Sequence, residues 1–495
     1  MPKWADHGVK MLYFDEDSDA RFYMPEAGTM TTDVLDGMLA NLAQTRIGCL
    51  IVGVNAQRSN FRSRFVESYL DRFDAAGGLL QPAMQGSRDV WRFRRCANMA
   101  ALEAQGVDSN AYLLSGARKL GRGAWIDVRM NDIHDGHDEN SSVHAALWRE
   151  HPELRIPGNI PCGNGYDYRH EKIRTMYENY IAEADEKYRP DNVLLDWMRW
   201  PAYFPKGTGR ENAPLITDFL RKIRTRLGHP AACRVPIAPE TALDVGLDVE
   251  AWVREGLISH LFVGNFCVAP DFDVPVERWK KIAGKLPVVV TVDYLGLSGS
   301  RGFTNPCAGG LVEETRGQAA AAYWRGADGI QIFNYFRFLR GDTPEELVKK
   351  GVDPEPQREN QRIGRTLFNE LHDPEVLYGL PRTVRPGWDD TLIHIGDHDQ
   401  INRIPGFFEE WRKSHAAPEG TLPRETPALW KLWTAKVPAG GAVLITDAEG
   451  KILVNGREVA GSSPYRIPAA WLVDGVTEVK TSGPVSKLRM DLETA

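Results

Sequence analysis

Cysteine is scarce in this chain. Six residues in 495, at Cys49, Cys96, Cys162, Cys233, Cys267 and Cys307, are too few for a disulfide scaffold, and none forms a C-x-x-C pair. That excludes a zinc ribbon or a thioredoxin-type site and predicts reduced, mostly buried thiols in a cytoplasmic protein. Basic blocks are missing too. The formal net charge is −7 and no Lys/Arg-rich tail is present, so no nucleic-acid partner is expected. No apolar run approaches the roughly 20 residues that cross a bilayer, and Met1-Pro-Lys-Trp-Ala-Asp-His lacks the apolar stretch of a signal peptide. No membrane partner is expected. Also absent are a repeat with a period of roughly 20–50 residues and a Gly-rich phosphate loop after an early strand, the mark of an open doubly wound sheet.

What is present is an alternation. Hydrophobic residues make up 42% and charged residues 26%, an ordinary globular balance. Eight short β-rich apolar runs recur over the first 340 or so residues: Val9–Asp15, Cys49–Asn55, Ala124–Asn131, Asn192–Met198, Arg234–Ala238, His260–Asn265, Pro287–Asp293 and Gly329–Asn334. Helical spacing fills the gaps at Thr31–Thr45, Glu171–Tyr188, Ala213–Leu227, Val276–Ala283 and Glu313–Arg325. Near-continuous apolar strands separated by helices predict a parallel sheet covered by helices, and eight such units predict an α/β fold, a (β/α)8 TIM barrel. The long gaps 56–123 and 132–191 predict elaborated loops on the active-site face. After Asp373 the helical periods stop. Thr391–Ile395, Ala442–Thr446, Lys451–Val454 and Val476–Thr481 read as antiparallel strands, with a hairpin turn at Asp447-Ala-Glu-Gly-Lys. The expected organisation is a barrel over 1–372 and a C-terminal β-sandwich domain over 373–495.

In a barrel, chemistry gathers at the C-terminal strand ends. There the sequence places Asp15, Asn55, Asp127, Arg129, Asn131, Asp132, Asp196, Arg199, Glu240, Asn265, Asp293 and Asn334. Carboxylates at strand ends need partners or water, and a ring of them suits a polyhydroxylated or cationic ligand. The sharpest motif is Leu194-Leu-Asp196-Trp197-Met-Arg199-Trp200-Pro201. Asp196 is placed to attack an anomeric carbon, Arg199 to hold charge, and Trp197 and Trp200 to stack on sugar faces; the plain alternative is an Asp–Arg pair between core tryptophans. Glu240, ending the neighbouring strand, is placed as acid/base at the roughly 5–6 Å separation of a retaining glycosidase; alternatively Pro239-Glu240 simply opens a helix. Asp293 is a third catalytic candidate, or an N-cap. Trp125 and Tyr294 complete the expected substrate contacts. The stretch Ile133-His134-Asp135-Gly-His137-Asp138-Glu139-Asn140 reads as a solvated polar loop.

Residues Tyr166-Asp-Tyr-Arg-His-Glu-Lys-Ile-Arg174, followed by a helix and Asn192-Val-Leu-Leu-Asp196-Trp-Met-Arg199, resemble the glycoside-hydrolase-like barrels, and Trp324–Asn334 is similar to their last strand. The carboxylate order also resembles the α-amylase superfamily. That resemblance implies Asp196 as nucleophile, Glu240 as acid/base, Asp293 as the further carboxylate, and Asp127 and Asn131 as the strand-three motif. The sequence departs from that superfamily at Leu194, Val292 and Asp132, where the superfamily carries Arg, His and His. The expected function is glycoside hydrolysis on an oligosaccharide or glycoside by a retaining route, with a carbohydrate substrate and no cofactor or metal. The alternatives are a metal-dependent barrel hydrolase and a non-catalytic carbohydrate-binding barrel. The long loops leave a homo-oligomer open.

Overall fold

The structure is a computed structural model. It describes residues 10–23, 25–71, 73–74, 78–79, 87–132, 134, 139, 141–157, 165–199, 201–205, 207–264, 272–293, 311–333, 335, 348, 355–386, 428–483, 485 and 488–494. Eight parallel strands close a barrel: β1 (Met11–Glu16), β2 (Cys49–Gly53), β3 (Gly123–Arg129), β4 (Val193–Asp196), β5 (Ala231–Val235), β6 (Ile258–Val263), β7 (Val288–Asp293) and β8 (Gly329–Phe333), with β8 pairing back to β1. Every residue of β2, β4, β5 and β8 is buried. That is why these runs read as continuous apolar segments rather than alternating ones.

Side chains alternate across each strand. The outward set packs under helices. These include Thr32–Ala43, capped by the Thr31 hydroxyl, and Glu171–Tyr188, Gly209–Leu227, Val276–Ala283 and Leu311–Trp324. Two carboxylates staple the lower rim. Asp191 accepts from the Ala124 amide at 2.8 Å, and Asp328 from the Val288 amide at 2.8 Å. The inward set begins with an apolar plug of Tyr13, Ile51, Trp125, Leu194, Ala232, Phe262 and Val289, in which the Tyr13 ring lies 5.0 Å from Phe262 and 5.4 Å from Trp125.

Two four-stranded antiparallel sheets follow the barrel. One orders β9 (Arg382–Val384), β16 (Leu488–Leu492), β11 (Ala442–Thr446) and β14 (Tyr465–Ile467). The other orders β10 (Ala428–Ala435), β15 (Gly475–Thr481), β12 (Ile452–Val454) and β13 (Arg457–Glu458). Their facing side chains, among them Trp430, Leu444, Val454, Val479 and Met490, form a separate core, which makes this a β-sandwich. The turn at Asp447–Lys451 does not close a hairpin. It carries the chain from β11 in one sheet to β12 in the other, because each pairs only within its own sheet. The sandwich leans on helix Leu311–Trp324, where Arg385 pairs with Glu314, and on the segment before helix Val276–Ala283, where Trp433 donates to Asp273 at 2.6 Å. The expected strand Thr391–Ile395 lies outside the described residues.

Candidate active site

Above the plug the interior turns polar. Barrel interiors are usually filled by layers of Val, Ile and Leu drawn from alternate strands. Here the corresponding inward positions carry Asp15 on β1, Asp127 on β3, Asp196 on β4, Arg234 on β5, Thr291 on β7, and Gln331 and Phe333 on β8. Gly53 and Gly264 fall in the same phase on β2 and just past β6. A side chain at Gly264 would press on Thr291 at 2.9 Å.

The hydrogen bonding separates the acids. Asp196 accepts from the Arg234 guanidinium at 3.2 Å and from the Met198 amide at 2.7 Å. Arg234 lies over the Phe333 ring at 4.3 Å, and Arg199 lies over that ring at 5.3 Å. Thr291 donates to the Gln331 carbonyl oxygen at 2.6 Å, which turns the Gln331 amide to donate to Asp15 Oδ2 at 2.7 Å. Asp15 Oδ1 and Asp127 Oδ1 are buried with no hydrogen-bond partner among the described residues. Burial raises the Asp15 carboxyl well above the ordinary range, and the neighbouring Asp196 adds to it; Arg234 and Arg129 offset part of the effect. Asp127 is raised in the same way, by burial first and then by Asp15 and Asp196.

A second tier caps this layer. Arg129 bridges Asp17 at 2.7 Å and Asp132 at 3.0 Å. Asp132 accepts from His134 Nδ1 at 2.5 Å and from the His134 amide at 3.1 Å, and His134 Nε2 lies 3.5 Å from Arg199. Burial works against the Asp132 charge, yet His134, Arg129 and Arg199 together hold its carboxyl well below the usual range. Asp17 is lowered too: Arg129 and Arg199 outweigh its burial.

Of the residues expected from sequence, Asp15, Asp127, Arg129, Asp196 and Arg199 come together here. Others are placed elsewhere. Glu240 sits in the first turn of helix Pro239–Asp244, its side chain 59% exposed and paired with Arg278. The strand ends at Val235, several residues before Glu240, and Pro239 opens a helix instead. Trp197 faces outward, one position past Asp196, and is fully buried among Tyr168, Tyr203, Phe219 and Trp252. Trp125 belongs to the plug, two residues below Asp127 on the same face. Asn55 and Asn131 spend their amides on the chain. Asn55 exchanges hydrogen bonds with the Arg129 backbone, and Asn131 accepts from the Tyr166 amide at 3.0 Å and donates to the Ala202 carbonyl at 2.5 Å. The Asp293 backbone ends β7 beside Phe333, and its side chain lies outside the described set. Trp200, Asn265, Tyr294 and Asn334 lie outside the described residues.

Three members of the cluster were not anticipated: Arg234, Gln331 and Asp17. A signal for the first two existed, since an Arg and a Gln at inward parity in otherwise apolar strands need polar company. Among the described residues no group of three or more His, Cys, Asp or Glu side chains is arranged to hold a metal ion.

No family model and no curated protein matches this chain. Among solved structures it is similar to a maltogenic alpha-amylase from Thermotoga neapolitana, at 10% identity and TM-score 0.40, covering 97% of this chain and 98% of that one. It is similar to an alpha-amylase from Geobacillus thermoleovorans, at 10% identity and TM-score 0.38, covering 98% and 99%. A third is the chitinase ChiW from Paenibacillus sp., at 12% identity and TM-score 0.40, covering 98% of this chain and 54% of that chain. At such identities the likeness concerns fold alone.

Proposed function

We propose that this chain is a glycoside hydrolase that acts on an oligosaccharide or glycoside at the C-terminal mouth of its barrel, with retention of configuration and Asp196 as nucleophile. One observation supports this above the others: three buried carboxyls, Asp15, Asp127 and Asp196, share one interior layer, and among the described residues Asp196 alone of the three forms an ion pair. A site that places carboxyls in unlike environments separates their roles. Asp196, paired with Arg234, suits attack on an anomeric carbon and the stabilisation of positive charge there. Asp15 and Asp127, pushed toward the protonated form, suit donation to sugar hydroxyls. Glu240 remains the acid/base candidate by chain order, and its ion pair with Arg278 must open for it to serve.

The test is a screen of chromogenic glycosides and defined oligosaccharides with the parent, Asp196→Asn and Glu240→Gln, each with and without chelator. The expected result is turnover by the parent, loss of it in Asp196→Asn, and no effect of chelator. Full turnover in Asp196→Asn removes the assignment. Loss with chelator supports a metal-dependent hydrolase. Glycan binding by parent and Asp196→Asn alike, with no turnover in either, supports a carbohydrate-binding barrel.

A further inference from the structure

Proton transfer in the proposed reaction needs a group that is held in place and reachable from the mouth. Asp196 is taken up as nucleophile, Asp15 and Asp127 share its buried layer, and Glu240 stands in an exposed ion pair. His134 meets both conditions. Its side chain is 38% exposed, and its Nδ1 lies 2.5 Å from the buried Asp132. Asp132 is itself fixed: Arg129 holds its Oδ2 at 3.0 Å, its Oδ1 accepts the His134 amide at 3.1 Å, and Gln57 donates to its backbone oxygen at 3.2 Å.

We propose that His134 is the catalytic acid/base of this site and that Asp132 is its positioning residue. The inference rests on the glycoside-hydrolase reading and replaces Glu240 in it.

A carboxylate at Nδ1 sets the tautomer and leaves Nε2 as the working atom, the logic by which an acid orients an imidazole in many proton-transfer sites. Nε2 lies 3.5 Å from Arg199, and Arg199 and Arg234 share the Phe333 ring, with Arg234 bonded to Asp196. The working nitrogen and the nucleophile are thus tied through two guanidiniums and one ring. Among the described residues, the charged groups around the imidazole are Asp132 and Arg129 from the end of β3, Arg199 from the turn after β4, and Asp17, bridged to Arg129, from the end of β1. Asp132 lies on the Nδ1 side of the ring and Arg199 on the Nε2 side, so the imidazole is held between an acid and a cation.

The chemistry balances in two steps. An Asp196 oxygen bonds to the anomeric carbon as the bond to the leaving oxygen breaks. That oxygen takes the electron pair and a proton from Nε2, and leaves as an alcohol. A water oxygen then bonds to the same carbon, its proton passes to Nε2, and the ester bond to Asp196 breaks, returning the pair to the carboxylate.

The experiment compares kcat/KM on aryl glycosides of graded leaving-group acidity for the parent, His134→Asn, His134→Ala and Asp132→Asn, with pH profiles and added imidazole. A catalytic acid contributes about 100-fold or more. The proposal expects that loss in both His134 variants on poor leaving groups and less than about tenfold loss on dinitrophenyl glycosides. It also expects partial rescue of His134→Ala by imidazole, and a moved pH limb in Asp132→Asn. Equal losses across leaving groups, or a leaving-group signature in Glu240→Gln instead, overturn it. Nitrogen NMR of labelled histidine separates this failure from that of the wider reading. If the parent turns over no glycoside, the assignment falls with that reading. A Nδ1–H tautomer present in the parent and lost in Asp132→Asn then shows that the dyad is real and its use lies elsewhere.

Discussion

The raised carboxyls of the buried layer make a prediction about stability. Asp127 ionises near pH 3.9 in an unfolded chain, whereas burial, with Asp15 and Asp196 beside it, raises its carboxyl well above that in the folded protein. Below pH 3.9 both states hold the proton and the group contributes nothing. Above it, the unfolded chain releases the proton while the folded one keeps it, so stability falls as pH rises toward the folded value. Asparagine has the shape of the protonated acid and no titration. Each tenfold change in acidity is worth about 1.4 kcal/mol. Each pH unit over which only the unfolded chain releases this proton therefore costs the parent about 1.4 kcal/mol, and Asp127→Asn removes that cost, less about 1 kcal/mol for imperfect packing. The assay is urea unfolding of parent and variant from pH 4.5 to 8. The expected difference is near zero at the acid end and grows in favour of the variant as pH rises. A variant destabilised by the same amount at every pH, or one that gains stability on acidification relative to the parent, refutes the reasoning.

Three further outcomes follow from the packing. Arg234→Met leaves the buried Asp196 without its ion-pair partner, so the urea midpoint should fall by the equivalent of about 3–5 kcal/mol, as for other broken buried pairs. Trp197→Phe should cost about 1–3 kcal/mol in unfolding free energy while leaving KM within about threefold, because the indole packs against Tyr203 and Trp252 rather than facing the mouth; a KM raised tenfold in the folded variant contradicts this placement. Gly317→Ala drives a carbon into the Thr383 carbonyl oxygen, so the helix must draw back from β9. Limited proteolysis should then cut between barrel and sandwich faster than in the parent, and an unchanged rate counts against that contact.

The eight strands were legible because burial on both faces writes a strand as one apolar run. The boundaries of β2 at Cys49 and β7 at Asp293 match the reading, and helix Glu171–Tyr188 matches at both ends. Errors came where alternation, not composition, decides. Trp197 is one residue past Asp196 and so faces the helices. On β5 the apolar run was set too late: the strand is Ala231–Val235, which puts Arg234 inside and leaves Glu240 to a helix. Asn55 and Asn131 stand at strand ends as expected, but an amide there can as well satisfy backbone as bind hydroxyls, and here it does. The pairing of Asp132 with His134 is a contact that residue spacing alone does not dictate.

The central claim is that the Asp196 carboxylate forms a bond to the substrate. The direct measurement is incubation with a 2-deoxy-2-fluoro glycoside carrying a good leaving group, chosen from the sugar the parent turns over, followed by peptide mass mapping. The account predicts one sugar adduct, on the peptide containing Asp196, and none after Asp196→Asn. An adduct on Glu240 or Asp127, or steady turnover with no adduct at all, contradicts it.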